Sequence, residues 1–290
     1  MGPPPGLALA ALDRRRDRLF HRRPSLRVRG ERSALVFVNA VGVCSTFYRF
    51  REGLPCLWEA VTGRRAPAWP RHSHRDPGVG LTWELKDTLP AKRQVYYGKL
   101  LHGRPVLVAL RLFPAFYALV RGRQTARDYR AEYEAGRLSL TAKRLMDVLI
   151  RRHPLYTREL RAEAFLLEPG RTREFERAVA ELQQGLFIVK TEERYEPSFS
   201  YRWGLLEAWL PEAVRAGRGL ARPAAVRRVV ANHLAVAGWG AVEAVARLFG
   251  LPRAEVTRAM AELVRSGEVR AGQVIRGLPG RWLVHRDWAG

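Results

Sequence analysis

Arg177-Ala178-Val179-Ala180-Glu181-Leu182 and Arg258-Ala259-Met260-Ala261-Glu262-Leu263 agree at five of six positions. A repeat of this kind marks two copies of one supersecondary unit, and the surroundings of the two copies are alike. Before the first, Leu140 to Arg152 has helical spacing with Leu145, Val148 and Leu149 on one face, and Pro154 ends it. Thr157 offers an N-cap for a helix over Arg158 to Phe165, and a turn through Pro169-Gly170 leads to a third helix, Thr172 to Gln184, which carries the repeat. Leu186 to Lys190 then reads as a strand. Around the second copy, Pro223 to Val236 is a helix stopped by Gly238, Ala241 to Phe249 is another, and Arg253 to Arg265 is the third. Strands over Glu268 to Ile275 and Arg281 to His285 flank Gly277-Leu278-Pro279-Gly280. Three helices and a hairpin in this order predict a winged helix, whose third helix can enter a major groove while the wing touches backbone.

The spacing therefore predicts winged helices at 139–200 and 222–290, with a connecting helix, Leu205 to Ala216, inside 201–221. Residues 33–138 are aromatic-rich and read as one mixed α+β unit, with strand-like runs at Ala34 to Val38 and Val106 to Leu112 and a long surface loop from Gly63 to Gly80. Residues 1–32 open on Gly2-Pro3-Pro4-Pro5-Gly6, continue into an Arg-rich run with a helical stretch from Ala8 to Phe20, and read as a basic arm. The expected class is α+β and helix-rich, tandem winged helices following an N-terminal mixed unit.

Composition narrows the partners. The 290 residues hold 51 Lys and Arg against 28 Asp and Glu, a net charge of +23, which points to a polyanion, duplex DNA first. Nearly all of that charge is Arg, as a GC-rich genome would give, but such codons supply acids too and do not account for the surplus. Two cysteines cannot make a disulfide framework, so an intracellular, cytoplasmic setting is expected. The apolar run Leu7 to Leu12 is too short for a membrane span, and its basic cluster follows it, which is wrong for a signal peptide.

On the first third helix, Phe175, Val179 and Leu182 take the buried stripe, leaving Arg171, Thr172, Arg173, Glu176, Arg177, Ala180 and Gln184 outward. Arg171, Thr172, Arg173, Arg177 and Gln184 are the candidate DNA readers. The second third helix alternates charge, which suits a self-paired face, so its unit is expected to hold backbone through Arg222, Arg227, Arg228, Arg276 and Arg281. Upstream, Trp83, Lys86, Tyr96, Tyr97 and Lys99 interleave aromatics and cations. Trp83, Tyr96 and Tyr97 are candidates for stacking on a base and Lys86 and Lys99 for phosphate; the competing reading is a core with snorkelling cations. His72 and His74 with Cys44 and Cys56 have metal-ligand types but no zinc-site spacing, and neither a metal nor a cofactor is expected.

Several stretches carry a resemblance. Phe37-Val38-Asn39 with Gly42, Leu54-Pro55 with Leu57-Trp58-Glu59-Ala60, Trp83 with Lys86-Asp87, Tyr96-Tyr97-Gly98-Lys99 and Phe116-Tyr117-Ala118-Leu119 resemble the AlkZ/YcaQ-related winged-helix DNA glycosylase-like family, over nearly all of the chain after the arm. The resemblance implies tandem winged helices, DNA binding and hydrolysis of the glycosidic bond of alkylated or crosslinked purines. Such enzymes carry Gln-x-Gln or Gln-x-Asp. Here none of Gln94, Gln124, Gln183, Gln184 and Gln273 has Gln or Asp two positions later. Asp87, as a carboxylate general base, and Asn39, as an orienting amide, are the substitutes the sequence offers; an ion pair of Asp87 with Lys86, Lys92 or Arg93 is the structural alternative. The expectation is a monomeric duplex-DNA-binding repair protein. A winged-helix transcriptional regulator without enzymatic activity is the alternative, although no long dimerisation helix is visible.

Overall fold

A computed structural model describes residues 7–289, so the Gly2–Gly6 opening of the arm and Gly290 lie outside the described residues. The protein is mixed α+β, rich in helix, with small sheets. β1 (Leu7–Ala8) and α1 (Leu9–Leu19) precede a unit of α2 (Glu31–Val41), β2 (Val43–Ser45), α3 (Leu57–Thr62), α4 (Pro77–Ala91), β3 (Val95–Leu101) and β4 (Arg104–Ala109). Two helices, α5 (Phe113–Val120) and α6 (Tyr129–Glu134), lead to a middle unit of α7 (Leu140–Arg151), β5 (Leu155–Tyr156), α8 (Thr157–Glu163), α9 (Thr172–Gln184), β6 (Ile188–Arg194) and β7 (Ser200–Leu205). After α10 (Leu206–Trp209) and α11 (Pro211–Arg218) comes a last unit of α12 (Arg222–Ala237), β8 (Trp239–Gly240), α13 (Val242–Phe249), α14 (Arg253–Arg265), β9 (Val269–Gln273), β10 (Ile275–Arg276) and β11 (Trp282–His285).

The element order of the two repeat copies thus occurs a third time. Each unit runs helix, strand, two helices and two further strands, with β10 added between those two in the last unit, and in each three-stranded sheet the last strand lies between the other two: β2-β4-β3, β5-β7-β6 and β8-β11-β9. The first instance is the stretch read as an undivided α+β unit. Its opening helix replaces the strand expected at Ala34 to Val38. Ala34, Phe37, Val38 and Val41 are buried at helical spacing, while Val36, which strand alternation would bury with Ala34, is 61% exposed. The expected loop ends early because Pro77 opens α4, capped by Asp76, whose Oδ1 accepts from the Val79 N–H at 2.8 Å. The connecting helix is two helices, broken where Pro211 brings no N–H to continue α10.

The basic arm is built into the fold. β1 adds in parallel to β10, and Leu12 joins Trp239, Ile275, Val284 and Trp288 in a small core, with Leu7, Leu9 and Leu19 at its edge. The Arg16 guanidinium sits 3.5 Å from the Trp239 ring centroid and donates to the Ala237 carbonyl at 2.9 Å, and Arg22 pairs with buried Glu59. Burying a Leu or Trp side chain is worth about 1.5–3 kcal/mol. Deleting residues 1–32 removes buried Leu12, Phe20 and Val28 and strips Glu59 of Arg22, so it should lower the thermal midpoint by more than roughly 10 °C, upwards of about 5 kcal/mol, in a calorimetric scan. A midpoint unchanged from the full chain would return the segment to a free arm.

The first and middle units face one another. α4 lies against β6, and α9 lies against β3.

Candidate active site

Three residues singled out in the sequence sit on α4 at i, i+3 and i+4, and so share one face: Trp83, Lys86 and Asp87. That face meets β6, which brings Lys190 and Glu193. Asp87 Oδ1 accepts from Lys86 Nζ at 2.5 Å and from Lys190 Nζ at 2.6 Å; Glu193 Oε1 accepts from Lys190 and lies 3.4 Å from Lys86 Nζ. Two ammoniums and two carboxylates cancel, which is the condition under which charges this buried are tolerated; the Lys86 side chain is 3% exposed and that of Glu193 5%. Aromatic rings close around them. Lys86 Nζ is 4.2 Å from the Trp83 ring centroid, Lys190 Nζ is 5.0 Å from Tyr97 and 5.2 Å from Tyr201, and Tyr195 donates to Glu193 Oε2 at 2.9 Å.

The protonation states follow from this packing. Burial pulls Lys86 below the usual lysine range, helped by the Lys190 charge and opposed by Asp87. Burial pushes the Asp87 carboxyl up, against the pull of Lys190 and Lys86. Glu193, which burial alone would raise, is held at about 2 by the hydrogen bond and charge of Lys190. Burial lifts the Tyr201 hydroxyl to about 12.

Beside this cluster lies a cavity of about 350 Å³ between the two units, within the range of small-molecule sites. β3 supplies one wall with Tyr97, Gly98 and Lys99. The middle unit supplies the other: Arg161 from α8, Thr172, Phe175, Glu176 and Gln183 from α9, and Lys190, Tyr201 and Trp203 from its sheet. Gly98 has a local reason, since a Cβ there would overlap the Tyr96 hydroxyl. Lys190 belongs to both cluster and cavity. Two of its three N–H donors go to Asp87 and Glu193, and one remains for a group in the cavity.

The remaining sequence candidates separate. Tyr97 and Lys99 line the cavity, whereas Tyr96 is 1% exposed and stacked on Phe113 with ring centroids 4.4 Å apart, a core position that no base reaches. Asn39 is exposed near the end of α2, where Arg111 binds its carbonyl at 3.0 Å, and it does not line the cavity. The outward face expected on α9 is divided. Thr172 and Glu176 look across the cavity at β3, and Gln184 stands by Gly103 of the β3–β4 turn. Arg171 folds back onto Glu174, while Arg173 and Arg177 are exposed. In the last unit Arg222 pairs with Glu255 and Arg227 with Glu268, so the acids of α14 and the following turn engage arginines of α12 rather than those of α14 itself, which corrects the self-paired face expected there. Arg228, Arg276 and Arg281 are exposed, Arg281 donating to the Gly272 carbonyl at 3.1 Å. Cys44 and Cys56 are buried free thiols, far in character from exposed His72 and His74.

Residues 28–250 match a family model described as AlkZ related. The chain belongs to the AlkZ-related family. The matched range takes in both walls of the cavity and stops before α14. In three dimensions this AlkZ-related chain is similar to the DNA glycosylase AlkZ of Streptomyces sahachiroi, with a TM-score of 0.57 over 94% of this chain and 70% of that one, at 14% identity. That likeness concerns the fold. No curated protein matches the chain. Among the described residues, no helix is long and apolar enough to cross a membrane.

Lys190, Glu193, Glu176, Gln183, Tyr201 and Trp203 were not among the sequence candidates for this site. One signal for them existed. The chain has five lysines, Lys86, Lys92, Lys99, Lys143 and Lys190, and three of these stand at this one site. Lysine is a compact, rotatable donor whose proton affinity responds to burial, and arginine is not.

Proposed function

We propose that this AlkZ-related protein is a DNA-repair glycosylase that binds duplex DNA through three winged-helix units, roughly 31–109, 139–205 and 222–285, and receives an extruded alkylated purine in the cavity between the first two. The observation that carries the reading is the cavity itself: Tyr97, Tyr201 and Trp203 offer stacking surface, and Lys190 presents an oriented donor. A base taken out of a duplex needs both. The net charge of +23 supplies the attraction to phosphate.

The chemistry assigns each group a role. Water adds to C1′ as the C1′–N9 bond of an N7-alkylated purine breaks; the bond electrons pass to the base, which leaves neutral, and the proton of the water passes to a carboxylate. Glu176 lines the cavity, and in this reading it takes that proton and stabilises positive charge developing on the sugar. Lys190 and Gln183 hydrogen-bond the acceptor edge of the base. Asp87, whose Oδ1 is occupied by two ammoniums, is a positioning residue acting through Lys190, and Asn39 has no part at the cavity.

Methylated duplex DNA incubated with the protein should release 7-methylguanine, measured by mass spectrometry. Glu176→Gln should slow release by about 10²–10³-fold, the usual loss for one group stabilising transition-state charge. If ~6 phosphates are neutralised, log K should fall against log salt with a slope near −5 in fluorescence anisotropy. Duplex binding without release of any base would remove the hydrolase and leave a DNA-binding regulator; a slope near zero would remove DNA as well.

A further inference from the structure

Phe165 ends α8 in the left-handed region, at φ +58, with its side chain 82% exposed. Two hydrogen bonds define the stop: Phe165 N–H to the Ala162 carbonyl at 3.1 Å and Leu166 N–H to the Arg161 carbonyl at 2.8 Å. The second helix of each other unit stops in the same conformation. Gly63 at φ +65 is followed by Arg64 N–H on the Glu59 carbonyl, and Gly250 at φ +63 by Leu251 N–H on the Ala246 carbonyl. Glycine is what this backbone favours, and a bulky residue there is strained. Leu186 also adopts φ +54, at the end of α9, but it is 2% exposed and its burial offsets the strain. Phe165 gains no burial in return.

The turn that carries it is braced. Arg171 Nη1 donates to the Phe165 carbonyl at 2.9 Å, and Arg161 Nε donates to the Leu166 carbonyl at 3.0 Å. Leu167, next but one, is also exposed, and Pro169 stiffens the exit. Arg161 is at the same time part of the cavity wall, so one side chain joins the turn to the cavity. Arg158, Arg173 and Arg177 stand exposed on the two flanking helices, in a chain of net charge +23.

We propose that Phe165, with Leu167 beside it, is a wedge that enters the base stack of duplex DNA and fills the gap left by the base that moves into the cavity; this rests on the reading of that cavity given under Proposed function. A rigid turn carrying an apolar ring beside a base-sized pocket is the arrangement needed to unstack one step, because the ring replaces lost stacking and the bracing prevents it from folding back. It also accounts for a phenylalanine where two sister units have glycine.

The test uses the full chain and a duplex carrying one 2-aminopurine, whose fluorescence rises on unstacking. Wild-type protein should raise the fluorescence on binding. Phe165→Gly suits the backbone, so its thermal midpoint should be at or above that of wild type, and its Kd for the duplex should stay within tenfold, yet the fluorescence rise should be at least tenfold smaller. Phe165→Trp should retain the rise. A full rise with Phe165→Gly, or wild-type binding with no rise, overturns the wedge while leaving DNA binding intact. A change from oligomer to monomer on Phe165→Gly, seen by size-exclusion chromatography, overturns it in favour of a protein interface. Absence of duplex binding by wild type overturns both the wedge and the proposed function.

Discussion

Asp87→Asn should cost about 3 kcal/mol of stability, and adding Lys86→Met in the same chain should restore most of it. Asp87 supplies half the negative charge facing Lys86 and Lys190. Its neutral isostere leaves two ammoniums against Glu193 alone, a buried excess charge; removing one lysine restores the balance. The loss should also depend on pH, with a sign set by Lys86. Its folded-state pKa is below that of the unfolded chain, so between that lowered value and about 10.4 the unfolded state holds more protons, and stability rises with pH. Without Asp87 the Lys86 pKa falls further, the window widens and the rise steepens. Urea titrations at pH 7 and pH 9.5 on wild type, both single variants and the double variant measure the cycle. Single-variant losses that simply add would show that the cluster is not a unit.

Glu59→Ala should be at least as damaging, at about 4 kcal/mol. The Glu59 side chain is wholly buried and accepts from Arg22 Nε at 2.8 Å, from Arg49 Nε at 3.1 Å and from the Ala66 N–H at 2.8 Å. Its loss leaves the Arg22 guanidinium, itself 11% exposed, with only Asp17 at 3.8 Å, and strands a backbone donor. Arg49 is half exposed and can turn to water, so Arg49→Ala should cost under about 1 kcal/mol. The comparison is made by denaturant midpoint, and equal losses in the two variants would contradict the assignment of burial as the cause.

The legible parts of the sequence were those with clean periodicity. α9 and α14 begin and end where their apolar stripes and turn residues place them, because Phe175, Val179 and Leu182, and Val256, Met260 and Leu263, face a core at helical spacing. The first unit hid the same order. Its opening helix reads Ala34-Leu35-Val36-Phe37-Val38, an apolar and β-branched run equally suited to a strand, and its third helix has proline at both ends, Pro77 and Pro90, with apolar residues all round. For the site, residue types led to Trp83, Lys86, Asp87, Tyr97 and Lys99, since cations interleaved with aromatics are unusual at any depth. Lys190 lies 103 residues from Asp87, and no local pattern links a strand residue to a helix that far away. Tyr96 and Tyr97 show the limit most sharply. Neighbours on a strand point to opposite faces, and sequence alone does not say which of them enters the core.

The pairing of β1 with β10 sets an order of events during synthesis. α1 leaves the ribosome well before the strand and the tryptophans that receive it, Ile275–Arg276, Trp239 and Trp288. For the intervening time Leu7, Leu9 and Leu12 have no native surface to cover them, while the first and middle units can already fold. Nascent chains truncated before residue 275 should accordingly keep a protease-sensitive amino-terminal segment that chains carrying β10 and β11 protect, so that closure of this molecule waits for the strands of its last unit.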